Sequence, residues 1–179
     1  VAHSAPHPVY VIDNDSTDDS LSYLEKAFPE VHIIQTGANL GYAGGYNTGL
    51  KEISENFAVL LNSDVRTTPG WLNPIAEHFK NQPNCAALQP KVLWDRDHES
   101  FEYAGAAGGY LDSLGYPFCR GRVLNELEKD IGQYNDPRQV FWATGATLAV
   151  LTDVFKELGE LDPMLFAHME EIDLCWRMQ

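Results

Sequence analysis

Phe57-Ala58-Val59-Leu60-Leu61-Asn62-Ser63-Asp64 decides the fold class. Five apolar residues run without interruption, and three polar turn formers follow at once. A short run without alternation suits a strand buried on both faces, and such strands belong to sheets covered by helices on each side. Upstream, Val9-Tyr10-Val11-Ile12 repeats the pattern on a smaller scale and stops at Asp13-Asn14-Asp15-Ser16. Ligands of open α/β sheets bind beyond the carboxyl ends of the strands. Asp13-Asn14 and Asn62-Ser63-Asp64 therefore fall where a site belongs.

Outward from these two runs, strand and helix signals alternate. Thr17 or Asp18 caps a helix through about Ala27, Val31 to Ile34 reads as a strand, and Gly41 to about Glu55 is a Gly-rich turn feeding a helix. Pro69 opens a helix through about Asn81, and Ala86 to Gln89 is the next strand. This order predicts a mostly parallel twisted sheet with right-handed crossovers and flanking helices. From Val92 to Pro137 glycines and aromatics occur without a period, which reads as irregular β structure or a mobile loop. We expect mobility over Gly105 to Asn135. Val140 to Val150 suggests one or two strands bent at Gly145, Thr152 caps a helix to Leu158, and a last helix runs from Met169.

Composition narrows the function classes. The 179 residues suit one domain, with a hydrophobic share of 44%. Lys and Arg number 12 against 26 Asp and Glu, a net charge of −14. That surface repels phosphate backbones and anionic headgroups, so nucleic acid is not an expected partner. A small phosphorylated ligand is still compatible, because a divalent cation bridges carboxylates to phosphates. Cys85, Cys119 and Cys175 show neither metal-ligand spacing nor a disulfide framework, which fits a reducing compartment. No apolar run approaches the roughly 20 residues of a membrane span, and no signal peptide opens the chain. The first residue is not Met and the last helix looks unfinished, so both ends read as cut.

Three segments carry candidate chemistry, each with a plainer alternative. Asp64 after a buried strand can hold Mg²⁺ or Mn²⁺ against a diphosphate, or it simply ends a strand among turn formers. Asn39 to Gly49 is Gly-rich and enters a helix, where small residues and the helix N-terminus favour an anion; a tight turn with close packing explains it equally. It is neither GxGxxG nor a P-loop. Glu170-Glu171-Ile172-Asp173 either offsets a helix dipole, with Asp173 paired to Arg177, or supplies a general base whose pKa a like-charged neighbour raises.

In order and spacing these segments resemble the family 2 glycosyltransferases of GT-A fold. The turn Val11 to Ser20 looks like the family's first nucleotide-binding turn, and Asn39 to Gly49 is similar to its N-x-G-x-x-x-x-x-N-x-G segment. Leu61 to Val65 resembles its DXD-type motif. Gly145-Ala146, Gly159-x-x-Asp162-Pro163, Phe166 and Glu170-Glu171-x-Asp173-Leu174 with Trp176-Arg177 resemble its acceptor-side segment and ED-x-D-L-x-x-R helix. The resemblance covers nearly the whole chain apart from about 92–137. It implies one catalytic domain truncated at both ends, with a nucleotide-binding half over about 1–91 and an acceptor-side half over about 92–179, and an opening strand upstream of residue 1.

The same resemblance implies an inverting mechanism with a UDP- or dTDP-sugar donor and a saccharide or lipid-linked saccharide acceptor. Among such enzymes the likeness is to bacterial ones that add rhamnose or a similar sugar to cell-surface polysaccharide. Asp13 and Asn14 would contact the donor's base. Asn39, Gly41, Asn47 and Asn62 belong to the donor side, Asp64 to a Mg²⁺ or Mn²⁺ site, and Gly145, Asp162, Glu170 and Asp173 to the acceptor side. Glu171 would deprotonate the acceptor hydroxyl. The departures are Asn62, where the family often has aspartate, and Glu171, where aspartate is usual. A cytoplasmic enzyme is expected, with any membrane attachment in segments outside these residues, and this piece alone is compatible with inactivity. The competing readings are a non-catalytic nucleotide-sugar-binding module and a nucleotidyltransferase.

Overall fold

A computed structural model describes residues 2–179. In chain order its elements are β1 (Tyr10–Asp13), α1 (Ser20–Ala27), β2 (His32–Gln35), α2 (Gly41–Lys51), β3 (Phe57–Leu61), α3 (Leu72–Asn81) and β4 (Ala87–Leu88). Six short strands follow: β5 (Leu93–Trp94), β6 (Asp97–Phe101), β7 (Gly109–Leu111), β8 (Pro117–Cys119), β9 (Arg122–Val123) and β10 (Glu126–Leu127). The chain closes with β11 (Thr147–Leu151), α4 (Thr152–Glu157), a 3₁₀ turn (Pro163–Leu165) and α5 (Glu170–Arg177).

The α/β alternation of the first half holds. β1 and β2 pair in parallel, Tyr10 opposite His32 through Asp13 opposite Gln35. β11 lies between β3 and β4 and is antiparallel to both, so those two flanking strands run the same way. The opposite sense of β11 follows from the long excursion over residues 89–146, which leaves at the carboxyl end of β4 and re-enters the sheet at that same end, Thr147 opposite Leu61. β11 is the strand buried on both faces, with Leu148, Ala149 and Val150 wholly inside. The apolar run of β3 predicts that role for β3 instead, yet of its residues only Leu60 is fully buried.

The reason is a cavity of about 1140 Å³ between β1 and β3. Among the described residues the two strands share no ladder. Every residue from Pro8 to Ile12 and from Phe57 to Leu61 borders the cavity, with Leu50, Ile53, Trp71 and Leu72 from the flanking segments. Asn14 and Asn62 to Val65 line it beyond the ends of β1 and β3, and of the other lining residues Glu55 and Trp71 each leave a buried polar atom without a partner.

Packing elsewhere is dense. Phe101, Phe155, Leu60, Leu148, Leu161 and Leu174 are the large side chains completely removed from water, each worth roughly 1.5–3 kcal/mol of apolar burial. Over Gly105 to Asn135 the structure holds the irregular β structure that the sequence offers as one of two readings, with Leu114, Leu124 and Ile131 exposed between packed strands. Strands β7 to β10 form an antiparallel sheet within that segment, and its residues Ala106, Ala107 and Cys119 join Phe101 in the central core. A Cβ on Gly109 would lie 1.8 Å from the Trp142 ring, so glycine at this point is what lets the excursion close onto the core. No helix among the described residues is long and apolar enough to cross a membrane.

Candidate active site

The turn after β1 is held by side chains acting as staples. Asn14 Oδ1 accepts from the Leu40 N–H at 2.9 Å and the Thr36 hydroxyl at 3.3 Å. Its Nδ2 donates to Asn39 Oδ1 and to the Gly41 carbonyl, both at 3.1 Å. Asn39 Oδ1 also accepts from the Gly41 N–H at 3.0 Å. Both asparagines thus fasten the end of β1 to the opening of α2. Asp13 is buried, and its carboxylate accepts from the Ser16 N–H at 3.3 Å. Asn47, buried in the middle of α2, donates to the Leu161 carbonyl at 2.7 Å and accepts from the Leu161 N–H at 3.0 Å. Its amide clamps the segment before α5.

Asn62 and Asp64 stand just beyond the end of β3 on the mouth of the cavity. The Asn62 N–H donates to the Ala146 carbonyl at 3.1 Å, which extends the β3–β11 ladder by one step. Asp64 is exposed and forms no ion pair with a described basic residue. No group of three or more His, Cys, Asp or Glu able to enclose a metal ion occurs among the described residues. One free carboxylate fits a hard cation only where phosphate oxygens and water complete the shell, which is how Mg²⁺ is commonly held beside nucleotides.

Two tyrosines on α2 connect this mouth to the segment around Gly145. Tyr42 and Tyr46 line the cavity with ring centroids 4.6 Å apart. The Tyr46 hydroxyl donates to the Leu61 carbonyl at 3.0 Å, and the Tyr42 hydroxyl donates to the Gly145 carbonyl. Burial pushes the Tyr46 hydroxyl up to about 12. Tyr42 is raised as well, first by burial, then by Tyr46 and by the charges of Glu171 and Glu170. Both hydroxyls therefore remain protonated donors. Neither is among the residues expected from sequence, although their i,i+4 spacing on one helix face is visible there.

At the start of α5 the acidic residues part company. Asp173 accepts from Arg177 Nε at 3.0 Å and Nη2 at 2.7 Å, as the i,i+4 spacing predicts. Arg177 also donates to the Leu158 and Glu160 carbonyls, so the pair anchors the helix. Glu170 is only 4% exposed, whereas Glu171 is half-buried. Each leaves Oε2 without a hydrogen-bond partner among the described residues. Burial raises both carboxyls above the ordinary glutamate range; the Glu170 charge raises Glu171 further, and His168 opposes part of the shift in each. A partly exposed carboxylate with raised proton affinity and no cationic partner is a competent general base. Asp162 caps the 3₁₀ turn by accepting from the Met164 N–H at 2.9 Å.

Comparison with known proteins agrees with this architecture. Residues 6–159 match the profile described as glycosyl transferase family 2. An N-acetylglucosaminyl-diphospho-decaprenol L-rhamnosyltransferase of Mycobacterium tuberculosis is 27% identical over 99% of this chain and 62% of its own length. The low-salt glycan biosynthesis hexosyltransferase Agl10 of Haloferax volcanii is 24% identical over 93% of the chain and 52% of its own. The chain thus spans less than two thirds of the length of these curated relatives. Among solved structures, GalNAc-T7 with UDP, GalNAc and Mn²⁺ aligns with a TM-score of 0.66 at 14% identity, covering 96% of this chain and 34% of that one. TarS 1–349 of S. aureus aligns with a TM-score of 0.65 at 17% identity, covering 98% and 46%. These two likenesses show the fold, which is GT-A.

Proposed function

The chain belongs to glycosyl transferase family 2, and on that premise we propose that it forms the core of an inverting enzyme moving a sugar from a nucleotide-sugar donor to an acceptor hydroxyl. The observation that supports the reading is Glu171: half-buried, with an unpartnered oxygen and no ion pair among the described residues, while Asp173 is engaged by Arg177. Glu171 takes the acceptor's proton as its oxygen attacks the anomeric carbon. The bond from that carbon to the nucleoside diphosphate breaks, and the diphosphate leaves with the electron pair.

Asp13 faces the donor's base, and Asn62 with Asp64 faces its diphosphate. A Mg²⁺ or Mn²⁺ ion held by Asp64 would neutralise charge on that leaving group when bound. Asn14, Asn39 and Asn47 act one layer back: they fix the turn and helix that the donor meets. Gly41 gives the donor a helix opening with no side chain, and Gly145 and Asp162 shape the acceptor side through Tyr42 and the 3₁₀ turn. The donor is a UDP- or dTDP-sugar and the acceptor a saccharide or lipid-linked saccharide, in synthesis of cell-surface polysaccharide. The diphospho-decaprenol acceptor in the name of the mycobacterial relative supports the lipid-linked form. The reaction takes place on the cytoplasmic side, with membrane attachment through segments outside these residues.

The 179 residues are part of a larger catalytic domain, with about 1–91 on the nucleotide side and about 92–179 on the acceptor side. The apolar cavity between the unjoined edges of β1 and β3 supports this, because it suits one further strand. Calorimetry of the full-length protein with UDP or dTDP and Mn²⁺, in native and Asp64→Ala forms, tests the donor site. Weaker binding by the variant is expected, and unchanged affinity removes Asp64 from the metal role. Turnover of UDP-, dTDP- or GDP-sugars, lost in Glu171→Gln, separates an enzyme from a binding module.

A further inference from the structure

The backbone between the 3₁₀ turn and α5 is held in unusual conformations. Phe166 has φ 52° and ψ −60°, and the Ala167 N–H donates to the Leu165 carbonyl across it. That is a three-residue turn of the positive-φ form, the rare and strained one. His168 and Met169 follow at φ 75° and 74°, again without being glycine. Burial does not account for the strain: Met164 is 90% exposed, Phe166 53% and Met169 46%. Such conformations persist only where the surroundings over-determine them, and they gather at ligand clamps and switch segments.

The restraint comes from the donor-side helix. The Phe166 carbonyl accepts from the Ala43 N–H at 3.3 Å. The Phe166 carbonyl oxygen and ring lie 2.5 and 2.6 Å from where a Cβ on Gly41 would stand, so glycine at φ 70° is what admits them. On the upstream side Asn47 clamps Leu161 and Asp162 caps Met164. On the downstream side only three residues separate Phe166 from Glu170, and α5 opens there with Glu170 and Glu171.

We propose that Phe166 is a positioning residue: seated on the opening turn of α2, it transmits the placement of that turn to the Glu171 carboxylate. The inference rests on the reading of Glu171 as the base and deepens it by naming what aims that base. Donor contacts at Gly41 and residues beside it then act on the acceptor side through Phe166, with no contact between donor and Glu171 required. The charged and titratable groups acting on Glu171 are Tyr42 from α2, His168 from the loop, and Glu170 and Cys175 from α5. Burial is the largest cause of its raised proton affinity, so a loop released from α2 admits water and lowers it.

The test uses ligand-free full-length protein in native, Phe166→Ala and Phe166→Leu forms. Amide exchange over residues 167–171 is expected to quicken about tenfold or more in Phe166→Ala, with α2 and β3 unchanged and Phe166→Leu near native. Carbon-13 titration of the Glu171 side-chain carboxyl is expected to show a lower midpoint in Phe166→Ala and recovery in Phe166→Leu. An unmoved midpoint, or exchange that quickens equally in α2 and β3, overturns the proposal and leaves Phe166 an ordinary packing residue. Turnover of Glu171→Gln is measured separately. If it stays intact while Phe166→Ala still shifts the Glu171 midpoint, the base assignment fails and the coupling stands.

Discussion

At the turn after β1, Asn14 engages four groups from Thr36, Asn39, Leu40 and Gly41. At the start of α5, Glu170 and Glu171 each keep an oxygen that engages nothing described. Both regions lie at element ends, where backbone groups need partners, yet only the first satisfies its side chains internally. The contrast is between a turn whose polar side chain is fully engaged and a helix start where two carboxylates are not. A polar residue with all its bonds made holds shape, and one left unpaired under burial is under tension that a substrate can relieve.

The largest effect that can break this contrast is on turnover. General-base assistance contributes ~10²–10⁴-fold, so Glu171→Gln in the full-length protein is expected to reduce kcat by about that factor, with nucleoside diphosphate affinity by calorimetry nearly unchanged. Loss of affinity alone would place Glu171 among binding groups. The scaffold side predicts the reverse pattern for Asn47→Ala. Removing the amide strands both the N–H and the carbonyl of Leu161 in a buried setting, a loss of about 2–4 kcal/mol in denaturant unfolding. Unaltered stability would show that the clamp is dispensable.

Glu170→Gln sharpens the comparison with a smaller effect of opposite sign. Burial raises the folded-state proton affinity of Glu170, so its ionised form is penalised at neutral pH. The favourable contribution of its neutral form is complete below the unfolded glutamate value and is lost as pH rises through the folded one. The variant is therefore expected to unfold at a modestly higher temperature than native protein at pH 7, and with no advantage below the ordinary glutamate range. Smallest of all is Asp173→Asn: the pair with Arg177 is 41% and 30% exposed, which limits its loss to about 0.5 kcal/mol in the same unfolding assay.

How far the sequence could be read follows from element length and from what each residue does. β1, β3 and α2 are legible because apolar runs and a Gly-rich helix opening carry their own signals. β7 to β10 are two or three residues each, too short to show a period of two, so an ordered hairpin unit resembles a loop. Asp173 pairing with Arg177 is readable from helical spacing alone. The spacing of Asn39, Gly41 and Asn47 marks an important segment, but whether such residues face a ligand or one another is a tertiary fact: Asn47 reaches Leu161, 114 positions away. Phe166 gives no local signal of its conformation either, because that depends on a missing Cβ at Gly41.

The pH dependence of kcat in the full-length protein reports the protonation of the general base. If an unpaired, half-buried Glu171 is the base, kcat falls on acidification with a midpoint above the ordinary glutamate range, since burial and the Glu170 charge both raise it. The residual activity of Glu171→Gln then lacks that acid limb. A midpoint at the ordinary glutamate value, or the same limb persisting in Glu171→Gln, would contradict the account.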